Sequence, residues 1–356
     1  MDKLFTDRLK RAKWAYTTRR VDRQKAVGML TDLLIPRAGD LVLARVESIG
    51  HHRRLELTTS RRAEMFEGDE IVVAFGNRYA PDQFEGIVPE SLESCRLVAA
   101  GGVAARILNR HRRMKRPTKI LPLGLLADAD GNRINLHDFR MHQTEGVTEK
   151  PLTLAVAGTS MNSGKTTACA NLVKGMVRRR LKVAAAKLTG TGAGADYRIL
   201  VDAGAEPVYD FIDAGYVSTY RIGDDALHDV VKVLCGHLEK SGVNIVIMEI
   251  ADGLLQRETA KLFNMSEFTS RLNGIIFAAN DALGAQSGVS RFTSCGLPVI
   301  GSTGVLTSSP LATRETEATT GLPVYQTDSL RRAHVAGMIY NCLNNRRRHQ
   351  LRQANG

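Results

Sequence analysis

Long apolar runs are missing from this 356-residue chain, and no stretch approaches the roughly 18 consecutive apolar residues of a membrane-spanning helix. The first residues, MDKLFTDRLKRAKWAY, lack the apolar stretch of a secretory signal, so a cytoplasmic protein is expected. Cysteine is scarce and scattered (Cys95, Cys169, Cys235, Cys295, Cys342), with no CxxC pair. That spacing argues against a zinc ribbon and a dithiol redox site, and an odd count suits free thiols in a reducing compartment. Aromatic residues are 5% of the chain, which gives little sign of a base-stacking surface. The histidines, among them His51, His52, His137 and His142, show no metal-ligand spacing, and no internal repeat is visible.

What is present is charge, unevenly spread. The net charge is +12, yet residues 151–330 hold 16 basic against 17 acidic residues. Residues 1–150 hold 27 against 20, and residues 331–356 hold 6 against 0. The excess therefore sits on the two flanks, as solvated or subunit faces or as a footprint for an acidic partner.

The organisation follows from the local patterns. Residues 1–35 read as a basic helical lead with Leu4, Leu9, Val21, Leu30 and Leu33, ended by Pro36. Residues 36–150 read as a small β-rich domain, a barrel or sandwich, because GDLVLARVESIG, RRLELTT and GDEIVVAFGN are short apolar runs punctuated by turns. Within it, NRYAPDQFEGIVP (77–89) reads as a polar loop. Segment 104–119 is basic (Arg106, Arg110, Arg112, Arg113, Lys115, Arg116, Lys119), and 121–150 reads as a connector turning at Asp130-Gly131-Asn132. A boundary is expected near 146–151.

From 151 to 330 short apolar strands alternate with amphipathic helices: TLAVAG, KVAAAK, PVYDFI, VNIVIMEI, GIIFAA, LPVIGS and LPVY, with DDALHDVVKVLCGHLEKSG among the helices. Strands apolar throughout belong in a sheet covered on both faces, so a doubly wound parallel α/β domain is predicted. Residues 331–356 form a basic C-terminal helix or tail.

The most informative segment is Gly158-Thr159-Ser160-Met161-Asn162-Ser163-Gly164-Lys165-Thr166-Thr167, placed between an apolar strand and a helix. A small, polar loop entering a helix N-terminus cradles phosphate oxygens, a lysine there grips the terminal phosphates, and the following hydroxyl reaches Mg²⁺. Nucleotide contacts are expected from Gly158, Thr159, Ser160, Asn162, Ser163, Gly164, Lys165, Thr166 and Thr167. Thr166, Asp196 and Asp213 are candidate metal contacts, the last two from an Asp-rich stretch that also holds Asp202 and Asp210. The strand ends at Asn280-Asp281 and Ser302-Thr303-Gly304 are where a base is expected, and without an N-K-x-D sequence ATP is expected over GTP.

The G-x5-G-K-T spacing resembles the dethiobiotin synthetase loop G-T-D-T-x-x-G-K-T and the cobyrinic acid amidase loop G-T-x-S-x-x-G-K-S, the SIMIBI group of P-loop NTPases. The resemblance continues through Lys187-Leu188-Thr189-Gly190-Thr191-Gly192, similar to a lysine-containing substrate loop, and VIMEIADG, similar to a strand-E-G-A-G-G whose Glu binds Mg²⁺; it implies that Lys187 and Glu249 complete the candidate catalytic set with Lys165, and that Glu249 joins Thr166, Asp196 and Asp213 as a metal contact. It covers about 152–330. Uncharacterised bacterial proteins with a small β domain before such a P-loop domain are also similar. Ser160 stands where dethiobiotin synthetase has Asp, Met161 where both families prefer a hydroxyl, and Ile250 and Asp252 replace glycines, so the substrate is not carried over. ParA-like and MinD-like switches carry an early loop lysine, and none lies between Thr153 and Gly164.

The resemblance implies an ATP- and Mg²⁺-dependent enzyme, ligase or kinase-like, that transfers a phosphoryl group to activate a carboxylate or similar group of a small anionic substrate. The alternative is a nucleotide-dependent switch or assembly factor whose basic stretches 104–119 and 331–352 meet nucleic acid or an acidic protein. A homodimer is a further expectation, since relatives of this fold often place sites at dimer interfaces.

Overall fold

The computed structural model describes residues 3–31, 34–144, 147 and 149–354, and the chain folds as two units. Leu33 and part of the expected 146–151 boundary lie outside the described residues. One unit comprises Met1–His142, Gly190–Ala195 and Phe211–Gly223; the other comprises Gln143–Thr189, Asp196–Asp210 and Asp224–Gly356. Among the described residues no helix is long and apolar enough to cross a membrane.

The first unit is built on strands β1 (Lys13–Trp14), β2 (Gly28–Leu30), β3 (Leu41–Ser48), β4 (Arg54–Glu56), β5 (Arg62–Glu64), β6 (Glu70–Phe75), β7 (Phe84–Ile87), β8 (Cys95–Ala99), β9 (Val103–Arg110) and β10 (Thr118–Ala127). The main sheet runs β1-β6-β3-β10-β8-β9-β7, and a β6–β9 pairing closes β6, β3, β10, β8 and β9 into a barrel. Apolar residues on both sides of β3 and β6, such as Leu41, Leu43, Ile71 and Val73, are fully buried, so these strands carry the core.

Three sequence expectations change here. The helix of the lead, α1, spans only Lys3–Arg11; it is followed by β1, which joins β6 in parallel, and by β2, which pairs with β10. The 77–89 stretch is not all loop: β7 pairs with β9, and its alternation of buried Phe84 and Gly86 with half-buried Glu85 and Ile87 is a strand pattern that the surrounding polar residues disguise. The connector begins later than residue 121, because β10 continues to Ala127 before the turn closed by Gly131 N–H on Asp128 O (3.2 Å).

A half-buried histidine in this unit yields a pH prediction. His52 Nε2 lies 3.0 Å from Val98 O and 3.3 Å from Arg78 Nη1, and its ring packs edge-on to Phe84. Burial first, then the charges of Arg78 and His51, push its pKa down to about 3 from 6.5. The unfolded chain therefore takes up a proton on this residue that the folded chain refuses. Its stabilising contribution is full above about pH 6.5 and is lost as pH falls from about 6.5 toward about 3, by at most about 1.4 kcal/mol per unit. The expected result is that His52→Gln flattens the unfolding free energy between about pH 4 and about pH 6 relative to the parent. Equal slopes in denaturant titrations would show that His52 is not held neutral.

The second unit holds a sheet of β11 (Leu152–Gly158), β12 (Val183–Thr189), β13 (Val208–Asp210), β14 (Ile245–Ile250), β15 (Gly274–Ala278) and β16 (Val299–Thr303), ordered β13-β12-β14-β11-β15-β16 and parallel throughout. Parallel strands need crossovers, supplied by α2 (Lys165–Arg178), α3 (Gly194–Ala203), α4 (Asp224–Glu239), α5 (Arg257–Leu262), α6 (Ser266–Thr269), α7 (Ala282–Ser294), α8 (Pro310–Thr320) and α9 (Ala333–Ala354). Leu154 and Val156 of β11 pack in one cluster with Leu172 and Met176 of α2 and Ile339 and Leu343 of α9. On the other face Phe292 of α7 meets Phe277 of β15 with ring centroids 5.7 Å apart. Helices on both faces make the predicted doubly wound α/β arrangement.

The C-terminal basic stretch is less a tail than a core helix, because Ala336, Ile339 and Leu343 are fully buried. The seventh expected strand, LPVY, makes only an isolated bridge between Val324 and Ser302. Pro323 lacks the N–H that a ladder would need at that point.

Candidate functional site

Strand order reverses direction beside β11, between β14 and β15, and in open parallel sheets ligands bind beyond the strand carboxyl ends at such a switch. The glycine-rich loop lies there. Gly158 closes β11, and a Cβ on it would sit 2.5 Å from Ser163 Oγ and 2.6 Å from Ala278 O, so only hydrogen fits. Gly164 caps α2 at φ 95°, a left-handed conformation that costs any side chain about 1–2 kcal/mol. Lys165, Thr166 and Thr167 form the first turn of α2, where backbone N–H groups have no partner inside the helix and the dipole favours an anion.

Around this turn lies a cavity of about 430 Å³ whose lining includes Lys165, Thr166, Lys187, Asp196, Glu249 and Asp252. Lys165 Nζ donates to Ser160 O (2.6 Å) and lies 3.4 Å from Ser163 Oγ, so the ammonium is folded onto its own loop. Burial lowers its pKa, while Glu249 and Asp252 oppose the fall. Thr166 Oγ1 donates to Glu249 Oε1 (2.8 Å). Lys187 Nζ bonds Asp196 and stands 3.9 Å from Glu249 Oε1. Burial works against the Lys187 charge, but Asp196 and Glu249 outweigh it and raise its pKa. Glu249 is 2% exposed; burial raises its pKa against the pull of Lys187. Its second oxygen, Oε2, is buried with no hydrogen-bond partner.

The structure thus brings together Lys165, Thr166, Lys187, Asp196 and Glu249, with Asn162, Gly164 and Thr167 on the same wall. Lys187 sits within β12, two residues before its end, rather than in a loop. Asp213 does not join the set: it belongs to the other unit, where Arg19 (2.7 Å) and Arg20 (3.5 Å) hold its carboxylate. Those two guanidinium groups already neutralise it, and it is absent from the cavity lining. Gly158, Thr159, Ser160 and Ser163 shape the loop without lining the cavity.

Two contributors escaped the sequence reading. Asp252 lines the cavity three residues beyond Glu249, at the site of a glycine in the resembling families. Beside the first cavity a second one, about 300 Å³, shares Gly164, Thr167 and Val305 with it and is walled by Thr307, Gln326 and Thr327 among others. Gln326 and Thr327 follow the stretch that reads as a seventh strand, which hid them. Thr303, Thr307 and Thr327 are tied there by hydroxyl contacts of 3.1–3.2 Å.

No protein-family profile and no curated protein sequence matches the chain. Solved structures similar to it include the signal recognition particle 54 kDa protein of Aeropyrum pernix in complex with GDP, at 23% identity and TM-score 0.36, covering 56% of this chain and 50% of that one. The signal recognition particle receptor FtsY of Elizabethkingia anophelis is similar at 17% identity and TM-score 0.36, over 52% of this chain and 61% of that one. A DUF1611-family protein of Anabaena variabilis is similar at 15% identity and TM-score 0.39, over 58% and 61%. The similar region therefore spans less than two thirds of each of these structures.

Proposed function

We propose that the second unit binds a nucleoside triphosphate with Mg²⁺ and transfers its terminal phosphoryl group to a weak, anionic acceptor such as a carboxylate. The observation that carries this reading is the gathering of Lys165, Lys187, Thr166 and Glu249 around one cavity at the mouth of a glycine-capped helix. A transferring phosphoryl group spreads negative charge over its oxygens, and two buried ammonium groups beside a helix N-terminus meet that charge without reorganising water.

The residues fit a magnesium ion. Among the described residues no cluster of three or more His, Cys, Asp or Glu could hold a metal on its own. Mg²⁺ in nucleotide sites rests on one or two protein oxygens plus phosphates and water, and Thr166 with the orphaned Glu249 Oε2 supplies that small set. When bound, such an ion would neutralise part of the phosphate charge, with Thr166 and Glu249 the residues that would hold it. Lys165 exchanges its bond to Ser160 O for phosphate oxygens, and the helix amides of Lys165 to Thr167 hold the same group. Lys187, kept protonated by Asp196, stays charged across the working pH range and faces the acceptor side. The cavity walled by Thr307, Gln326 and Thr327 takes the ribose and base, and the absence of an N-K-x-D sequence favours adenine.

Calorimetry with ATP, GTP and AMP in the presence of Mg²⁺ tests the reading. The expected result is saturable triphosphate binding with ATP ahead of GTP and AMP far behind, followed by nucleoside diphosphate formation that rises when a carboxylic acid acceptor is added. No saturation by either triphosphate at millimolar concentration would overturn it.

A further inference from the structure

The first unit has a cavity of its own, about 240 Å³, lined by Tyr79, Gln83, Glu85, Asn109, Arg110 and Tyr220 among others. The Tyr79 and Tyr220 rings meet at 49° with centroids 5.4 Å apart. Tyr220 is fixed from its far end, because its hydroxyl donates to Glu85 Oε1 (2.9 Å), whose other oxygen accepts from Asn109 Nδ2 (2.5 Å). The β7–β9 register sets Glu85 opposite Asn109 and so builds the floor.

The same strand leads into a turn of unusual charge. Segment 106–116, RILNRHRRMKR, has six Lys and Arg residues and no acidic one. Arg112, Arg113, Lys115 and Arg116 are exposed. The ion pairs at the two ends of the stretch are Arg106–Glu90 (3.8 Å) and Lys119–Glu47 (3.0 Å), and among the described residues no ion pair joins the four cations between them. The turn is ordered by its own bonds: His111 N–H to Gln83 O (2.9 Å), Met114 N–H to His111 O (2.9 Å) and Arg113 N–H to His111 Nδ1 (3.2 Å).

Charge is thus divided in a particular way. Inside the cavity the charge is paired: the Glu85 carboxylate, held ionised chiefly by the Asn109 hydrogen bond, meets Arg221 (3.5 Å), whose guanidinium also lies 5.2 Å from the Tyr220 ring centroid, and Arg110 stands on the cavity lining. Along the strand the charge is positive and extended: Arg106 and Arg110, the latter at the cavity's edge, are about 13 Å apart along β9 at ~3.3 Å per residue, already more than one phosphate group spans. What the cavity offers is the pair of tyrosine rings, suited to a flat neutral ring, while phosphates find exposed cations on the adjoining turn. The partner that matches carries a flat ring with every anionic group of its chain, as a nucleic acid does, whereas an acidic protein offers rings only sporadically among its carboxylates.

We infer that this face of the first unit binds single-stranded nucleic acid, with one base against Tyr79 and Tyr220 and the adjoining phosphates on the 110–116 turn. Stacking on an aromatic platform beside a basic track is how sequence-tolerant single-strand binding is built. The low overall aromatic content hides this, because two of the eight tyrosines, 141 positions apart in the chain, are brought to one cavity.

The test uses the full chain and fluorescein-labelled twelve-nucleotide oligothymidylate and oligouridylate in anisotropy titrations. Saturable binding is expected at about 50 mM salt and should weaken about 50-fold by about 200 mM if four phosphates are met. Changing Arg112, Arg113, Lys115 and Arg116 to glutamine should lower the log–log salt slope by about 3. Tyr79→Ala should weaken binding about tenfold at an unchanged salt slope, with Tyr79→Trp close to the parent, which separates loss of stacking from misfolding. Any one of three results would overturn the proposal: no saturation at about 50 mM salt, equal affinity for duplex or polyglutamate, or a Tyr79→Ala variant that binds like the parent.

Discussion

Lys165→Ala is expected to weaken Mg²⁺–triphosphate binding by about 100-fold or more while the protein stays folded. Two physical terms add. Lys165 is 5% exposed, so its attraction for an incoming phosphate is screened far less than that of a surface lysine. It also donates hydrogen bonds that switch from neutral to charged partners on binding, and charge-assisted bonds are worth about 1.5–3 kcal/mol each. In the free protein the cost is smaller, because Lys165 is bonded there to a loop carbonyl and approaches one hydroxyl. Burial lowers its pKa, so removing it also removes a desolvated charge from the folded state. Calorimetry beside a thermal melt therefore separates the outcomes. A dissociation constant within threefold of the parent's, at unchanged melting, would remove Lys165 from the phosphate site. AMP, which lacks the phosphates that Lys165 grips, should bind the variant and the parent alike.

The elements legible in the sequence are those whose signal is local. β11, the loop and the start of α2 form one continuous segment, and the apolar run, the small residues and Gly164-Lys165-Thr166 all lie within it. Lys187 and Glu249 were legible through the likeness of their segments to known loops, and the structure adds a physical reason: each is a charged residue among buried strand residues, a placement unfavourable unless the strand end faces a site. What escaped depended on partners far off in the chain. Nothing within residues 211–223 shows that they group with the first unit or that Arg19 and Arg20 occupy Asp213. β1 and β2 have two and three residues, too few for a period, and they exist because β6 and β10 offer them an edge. β7 is disguised because its outward residues and its flanks are polar, so the alternation is only four residues long. The Tyr79–Tyr220 cavity was invisible for the same reason as Asp213, since one of its walls comes from that distant segment.

Glu249→Gln separates binding from chemistry. The substitution keeps an oxygen that accepts from Thr166 Oγ1 and keeps the volume, so the helix start and the cavity wall persist. What it removes is a negative charge 3.9 Å from Lys187 and the orphaned oxygen Oε2 that fits a magnesium ion. Affinity for metal-free triphosphate is therefore expected to hold or rise slightly, because an anion is no longer facing the phosphates. Turnover with Mg²⁺ is expected to fall about 100- to 1000-fold, the scale of losing one preorganised electrostatic contact in a closed site. Stability should move the other way. A carboxylate 2% exposed, with its pKa raised by burial, is costly to keep ionised, and the neutral amide avoids that cost at neutral pH. A higher melting temperature with lost turnover and retained binding would mark Glu249 as the carboxylate that serves the metal. If turnover and its magnesium dependence equal the parent's, that duty passes to another acid of the cavity, with Asp252, three residues further along the chain and on the same wall, the next to replace.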